Sequence, residues 1–281
     1  MAGLDMREFF VYEPAPMYVQ RWTAADVLNP LGTVVFVHGG AHNGMCWTTT
    51  PDGREGWALH LARRGWTVLV VDWPGHGRSP AQPDFLTAGP EPIVAAIAEL
   101  VRSFGPVVLV AHSIGAALCV RVLDEAPELV TSFLAINPAP PGIMDTGRPT
   151  APEDQPIDFH DLAQFVFANA DRFPHEHFAS YQRALCGLSP SVFNPLSTAG
   201  GWKSLAAADR NRIRSVSSMV IAGDADQLAN EVMSKAVAEY LGCDHIVVGR
   251  DWGLHGHGHM IPIEDQSETI LFRALDKLAA T

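Results

Sequence analysis

The sequence predicts an α/β fold: a mostly parallel central sheet with helices on both faces and an inserted helical cap. Three observations carry that expectation. First, residues 34–37, 68–71, 107–110, 133–136, 219–222 and 246–248 are short apolar runs rich in β-branched residues, and most end in Gly, Asp, Asn or His. Parallel strands buried on both faces read this way. Second, Ile93, Ile97, Leu100, Val101 and Phe104 recur at helical spacing, as do Met233, Ala236, Val237, Tyr240 and Leu241, and then Leu271, Ala274, Leu275 and Leu278. Each set presents one apolar face to a sheet. Third, this strand–helix rhythm breaks between Pro141 and Ala206.

Taken in order, residues 9–13 and 17–22 predict a hairpin of outer strands joined at Pro14-Ala15-Pro16, which adds an antiparallel edge. The parallel strands and their helices follow. The interrupted segment opens with a Pro/Gly-rich linker and continues with helix-like aromatic patches at Leu162, Phe165 and Val166, then Phe178, Tyr181 and Leu185. A structureless loop of that length is unusual in a compact domain. Residues 142–205 are therefore expected to form the cap, on a core made of 1–141 and 206–281.

Composition narrows the function. Of 281 residues, 47% are hydrophobic and 18% charged, which excludes a disordered chain, and no apolar run approaches the roughly 20 residues of a membrane span. Lys plus Arg number 19 against 31 for Asp plus Glu, a net charge of -12 without a basic cluster, so nucleic acid is not an expected partner. A small-molecule substrate is; the oligomeric state is left open. Cys46, Cys119, Cys186 and Cys243 lie far apart with no C-x-x-C, and are expected to be reduced and buried. The N-terminal stretch carries Asp5, Glu8 and Glu13 and lacks the apolar core of a signal peptide, so a cytoplasmic location is expected. Gly39-Gly40 and Gly75-x-Gly77 lack phosphate-loop or dinucleotide spacing, and no cofactor is expected.

The chemistry centres on Ala111-His112-Ser113-Ile114-Gly115, between a strand and a helix-like run. Small residues two before and two after Ser113 permit a tight strand-to-helix turn that holds a hydroxyl clear of the backbone. The alternative reading is a serine that caps the next helix. A serine nucleophile needs a base and an acid that orients it. His259, in the late Gly-rich loop Gly256-His257-Gly258-His259, is the candidate base. Asp226 in Gly223-Asp224-Ala225-Asp226 is the candidate acid, carried past a strand end, while Asp224 is expected to hold the local turn. His255, His257 and His259 alternate along the chain, a spacing also found among metal ligands, but no H-x-H-x-D-H pattern accompanies them and no metal is expected.

Val35-Phe36-Val37-His38-Gly39-Gly40-Ala41, Asp72-Trp73-Pro74-Gly75-His76-Gly77-Arg78-Ser79, Ala111-His112-Ser113-Ile114-Gly115 and the pair Gly223–Asp226 with Gly258–Pro262 together resemble the alpha/beta-hydrolase superfamily over nearly the whole chain. The resemblance implies a serine hydrolase with the order Ser113, Asp226, His259. It implies an oxyanion hole from the backbone of Ile114 and Gly40, with Ala41 the fallback, and a structural turn at Asp72–Ser79. Thr49-Thr50-Pro51-Asp52-Gly53-Arg54 also resembles a small group of bacterial carboxylesterases, whose acid follows the sixth strand; here that place holds Asn137, so the acid is assigned to Asp226. The Thr49–Arg54 turn is expected to narrow one side of the site.

Ala41, His112, Phe165 and Phe178 are the expected substrate contacts. Of Phe159, Phe165, Phe167, Phe173, Phe178, Tyr181 and Phe193, at most half are expected in the pocket, because aromatic rings serve packing first. The implied activity is cleavage of a carboxylic ester, lactone or thioester of a small apolar or aromatic substrate through an acyl-enzyme. Dehalogenases and epoxide hydrolases, which use a carboxylate in place of Ser113, are disfavoured. The alternatives are a carbon–carbon bond hydrolase, an amidase, or a ligand-binding member of the fold with little turnover.

Overall fold

The computed structural model describes residues 3–279. Eight strands form one sheet: β1 (Leu4–Val11), β2 (Met17–Ala24), β3 (Thr33–Val37), β4 (Thr67–Asp72), β5 (Val107–His112), β6 (Val130–Ile136), β7 (Ser217–Ala222) and β8 (Asp244–Val247). Their order is β1-β2-β4-β3-β5-β6-β7-β8. The first two strands pair antiparallel with each other, and β2 is antiparallel to β4; every later pair is parallel.

The nearly continuous apolar runs resolve by parity into two cores, because successive side chains of a strand face opposite ways. Val35, Val37, Leu109, Ala111, Phe133 and Val220 pack beneath the helices Glu91–Phe104, Ile114–Glu125 and Glu231–Leu241. Val34, Phe36, Val110, Leu134, Met219 and Ile221 face the helices Trp57–Arg63 and Ser267–Ala279. Local chemistry sets the helix ends. Asn230 caps Glu231–Leu241 by accepting from the Met233 N–H, and Gly242 ends that helix in the left-handed region at φ 70°.

The last strand begins and ends earlier than the apolar run suggested. Val248 opens a short helix, Val248–Trp252, which the Asp251 carboxylate anchors by accepting from the Val247 N–H at 2.7 Å. Between β6 and β7 the chain makes only short helices, among them Ala163–Val166, Phe178–Arg183 and Pro190–Ser197, tied by one antiparallel bridge between Ile157 and Leu188. All four cysteines are free thiols; Cys46 and Cys119 are buried, but Cys186 and Cys243 are only half-buried. No helix among the described residues is long and apolar enough to cross a membrane.

Candidate active site

β5 ends at His112, and the next residue turns sharply into the helix Ile114–Glu125. Ser113 sits at φ 53° and ψ -123°, a backbone conformation that L residues adopt only under constraint. That constraint is visible. The Ser113 N–H donates to the Ile136 carbonyl at 2.9 Å, and the Ala116 and Ala139 N–H groups donate to its carbonyl, both at 3.1 Å. Close approach demands the flanking glycine: a Cβ on Gly115 would lie 2.0 Å from the His38 carbonyl oxygen. Ala111 is fully buried between β3 and β6, and the turn closes with it in place.

The three residues selected for chemistry lie in one hydrogen-bonded row. His259 Nε2 is 3.0 Å from Ser113 Oγ, and its Nδ1 is 2.9 Å from Asp226 Oδ2. An ionised carboxylate only accepts, so Nδ1 carries the proton and Nε2 turns its lone pair to the hydroxyl. Asp226 is held in turn by the Leu228 and Ala229 N–H groups, which donate to Oδ1 at 2.8 and 3.0 Å. His259 and Asp226 are buried, and Ser113 is 8% exposed. Asp224 takes the other role: it accepts from the Gly256 and His257 N–H groups and binds the two loops together.

The loop carrying His259 is clamped from beneath. Asn137, at φ 43° after β6, uses both ends of its amide. Its Oδ1 accepts from the Gly223 N–H at 2.8 Å, while its Nδ2 donates to the carbonyls of Gly258 and His259 at 2.8 and 2.7 Å. His112 Nε2–H donates to the same His259 carbonyl at 2.8 Å. His112 is thus a fully buried support for the loop, its ring packed against His259 at 4.7 Å between centres, and it does not line the cavity over Ser113 as expected. Burial, with His259 nearby, holds its pKa well below the usual imidazole value.

The three alternating histidines do not converge. His255 is exposed, whereas His257 is fully buried and paired at 2.9 Å with the equally buried Glu264. Glu264 also accepts from the Gly258 N–H, and burial raises its carboxyl pKa against the opposing pull of His257. Among the described residues no group of three or more His, Cys, Asp or Glu side chains is placed to hold a metal.

After β3, two neutral histidines shape the glycine loop. His38 Nδ1–H donates to the Gly39 carbonyl at 2.8 Å while its Nε2 accepts from the Trp73 N–H at 3.1 Å. A trans peptide sets N–H opposite C=O, so the Gly40 N–H points away from His38. His42 donates from Nδ1 to the Gly40 carbonyl at 2.7 Å and meets the Tyr181 hydroxyl at 2.8 Å through Nε2. Desolvation lowers His38 to about 4 and His42 to about 3. In the Asp72–Ser79 turn, Gly75 and Gly77 have positive φ, and Asp72 binds Arg78 at 2.8 Å.

A cavity of about 390 Å³ opens over Ser113. Gly40, Ile114, Phe159, Val166, Phe167, Leu188, Phe193, Leu228 and one charged group, Arg148, line it. Three expected contacts lie elsewhere. Phe165 is 73% exposed: in the single turn Ala163–Val166, Ala163 and Phe167 share the buried side, and a residue two positions on from Ala163 faces away from it. Phe178 packs against Phe173 and Tyr181 instead. Ala41 is buried at φ 63°, its carbonyl accepting from the Cys186 N–H. The Thr49–Arg54 turn borders a separate cavity of about 250 Å³ with His42, Cys46, Tyr181 and Leu185. His42 packs edge-on against Phe167, 4.9 Å between ring centres, so these rings stand between the two cavities. Arg148 and the clamp at Asn137 went unseen in the sequence, where neither sits in a motif that marks its role.

A sheet of this topology with a serine on a strained turn at its carboxyl edge defines a hydrolase architecture. The chain belongs to the alpha/beta hydrolase family, whose sequence model matches residues 34–271. Over 86 residues it is 36% identical to "Probable secreted lipase phiG" of Fungal sp. (strain ATCC 74256), covering 29% of this chain and 23% of that protein. Over 120 residues it is 28% identical to an esterase of Mycobacterium tuberculosis, covering 42% of this chain and 37% of the relative. The matches span less than two fifths of either relative. A thioesterase domain from the curacin biosynthetic pathway superposes with a TM-score of 0.66 at 16% identity, covering 96% of this chain and 99% of that one. A methylesterase from Arabidopsis gives 0.65 at 16% identity, covering 89% and 100%. At such identities these two likenesses concern the fold alone.

Proposed function

We propose that this protein is a serine esterase that cleaves small apolar or aromatic carboxylic esters through an acyl-enzyme on Ser113. The observation that carries the reading is the unbroken row from Ser113 Oγ through His259 to Asp226. Ser113 Oγ attacks the ester carbon while its proton passes to His259 Nε2; the C–O bond then breaks and the alkoxide leaves with that proton. Water repeats the sequence, giving up a proton to His259 and releasing the acid as Ser113 recovers its own.

Asp226 keeps Nδ1 protonated and stabilises the imidazolium that forms. The oxyanion is met by the backbone N–H groups of Ile114 and Gly40. The first is an N-terminal helical N–H, which has no intrahelical acceptor. The second is oriented by the hold of His38 on the Gly39 carbonyl. Residues 142–205 act as the cap, supplying Phe159, Phe167 and Phe193 to the apolar wall. The ordered network favours turnover over a ligand-binding role, since a binding module has no use for a strained serine.

The test is a panel of esters, lactones, thioesters and amides assayed with the native protein and Ser113→Ala. Activity on esters that falls by three or more orders of magnitude in Ser113→Ala, on the scale seen for serine triads, supports the reading. Ser113→Ala activity within about tenfold of the native protein refutes it.

A further inference from the structure

We infer that Arg148 forms an anion subsite in the Ser113 cavity, and that the substrate is an ester with an apolar body and one carboxylate remote from the scissile bond. This deepens the acyl-transfer reading and rests on it. Arg148 lines the same cavity as Ser113. It is half-buried, yet among the described residues it makes no ion pair, in contrast to Arg54, Arg63, Arg78, Arg121 and Arg250, which each meet a carboxylate. Its guanidinium donates to the Leu228 carbonyl. A guanidinium has five N–H donors in a fork that matches a carboxylate, so most remain for a ligand.

Asp226, the carboxylate among the described residues whose charge bears on it, is already committed to His259, Leu228 and Ala229. Burial pushes the Arg148 pKa down, the mark of a cation whose lost hydration is not made good, and arginine nonetheless stays charged. The segment holding it is fixed on both sides. The Thr146 N–H donates to the Ser197 carbonyl at 3.1 Å, and Ala151 exchanges two hydrogen bonds with the Asn194 side chain. An anion would therefore meet a positioned fork. Around it the wall is apolar, with Ile157, Phe159, Phe193 and Leu228, which fits a hydrocarbon body between the two polar ends. The chain's net charge of -12 provides no long-range attraction for an anion, so recognition has to come from contact inside the cavity.

The experiment measures kcat/KM for matched pairs. In one arm, 4-nitrophenyl half-esters of four- to eight-carbon dicarboxylic acids are compared with the corresponding monocarboxylic esters. In the other, ω-carboxyalkyl esters are compared with plain alkyl esters, which tells whether the charge belongs to the acyl or the alcohol part. The native protein prefers the charged member in at least one arm. Arg148→Gln lowers the charged-to-neutral ratio by about tenfold or more, and Arg148→Lys restores part of it. A ratio near one in both arms, or a ratio unmoved in Arg148→Gln, overturns the subsite. Calorimetry of Ser113→Ala with pentanedioate and hexanedioate separates the two failures. Dicarboxylate binding lost in the Ser113→Ala, Arg148→Gln double variant upholds the subsite even if Ser113 proves not to be the nucleophile. No such binding, with ester turnover dependent on Ser113, leaves acyl transfer standing and removes the subsite.

Discussion

Lowering the pH from 7.5 to 5.5 unfolds this protein more easily, because four imidazoles are locked neutral inside it. His38, His42 and His76 titrate near 4, 3 and 4, and His112 well below the ordinary value; in each case desolvation is the leading cause. In the unfolded chain each returns to about 6.5. Between the two values the unfolded state holds more protons, so stability is full above about 6.5 and is lost as the pH falls. At pH 5.5 the folded imidazoles are still neutral, and the loss depends only on the unfolded value. It comes to about 1.4 kcal/mol for each group and roughly 5 kcal/mol for the four. Glu264 runs the other way: its raised carboxyl pKa makes the fold gain stability as the pH falls, but it is one group against four. A net loss of several kcal/mol is a large part of the 5–15 kcal/mol of an ordinary domain. Urea unfolding followed by fluorescence of the seven tryptophans measures it directly. A midpoint at pH 5.5 equal to or above that at pH 7.5 would show that these imidazoles are not held neutral in the fold.

Three further outcomes follow from the site. Asp226→Asn lowers kcat by on the order of 10⁴, whereas Asp224→Asn stays within about tenfold and shows up as a lower Tm, because Asp224 ties loops and does not touch His259. Asn137→Ala strands the Gly223 N–H and the Gly258 carbonyl and leaves the His259 carbonyl to His112 alone; unfolding free energy drops by about 2–4 kcal/mol, and kcat falls with little change in KM as the loop of His259 loses half its clamp. Asn137→Asp does not rescue it, since a carboxylate cannot donate to the Gly258 and His259 carbonyls. Phe167→Ala widens the cavity and removes the ring between it and the neighbouring one, so the optimum in an acyl chain-length series moves to longer chains.

What could be read in the sequence was whatever repeats along it. Residues 34–37 and 107–110 are apolar because both faces of a parallel strand are buried, and no tertiary knowledge is needed to see it. The strained turn at Ser113 was legible because such a turn requires small neighbours, and the place of Asp226 in the loop beside His259 because a strand end precedes it. The clamps were not, because their partners are remote: His112 meets His259 across 147 positions, and Asn137 does so across 122. Phe165 was misjudged for a different reason. A single helical turn has too few residues to display a face, so Phe165 and Phe167 look alike until the backbone assigns one to solvent and one to the cavity. Arg148 carries no pattern at all, for what sets it apart is that no carboxylate among the described residues pairs with it.

Acyl transfer at this site requires that Ser113 become acylated. Mass spectrometry of the protein quenched during turnover of a slowly hydrolysed ester, and of the protein treated with a fluorophosphonate, tests it most directly. One adduct is expected, on the peptide holding Ala111-His112-Ser113-Ile114-Gly115, localised to Ser113 and absent from Ser113→Ala. An adduct on another residue, or full ester turnover with no adduct at all in rapid-quench samples, contradicts it.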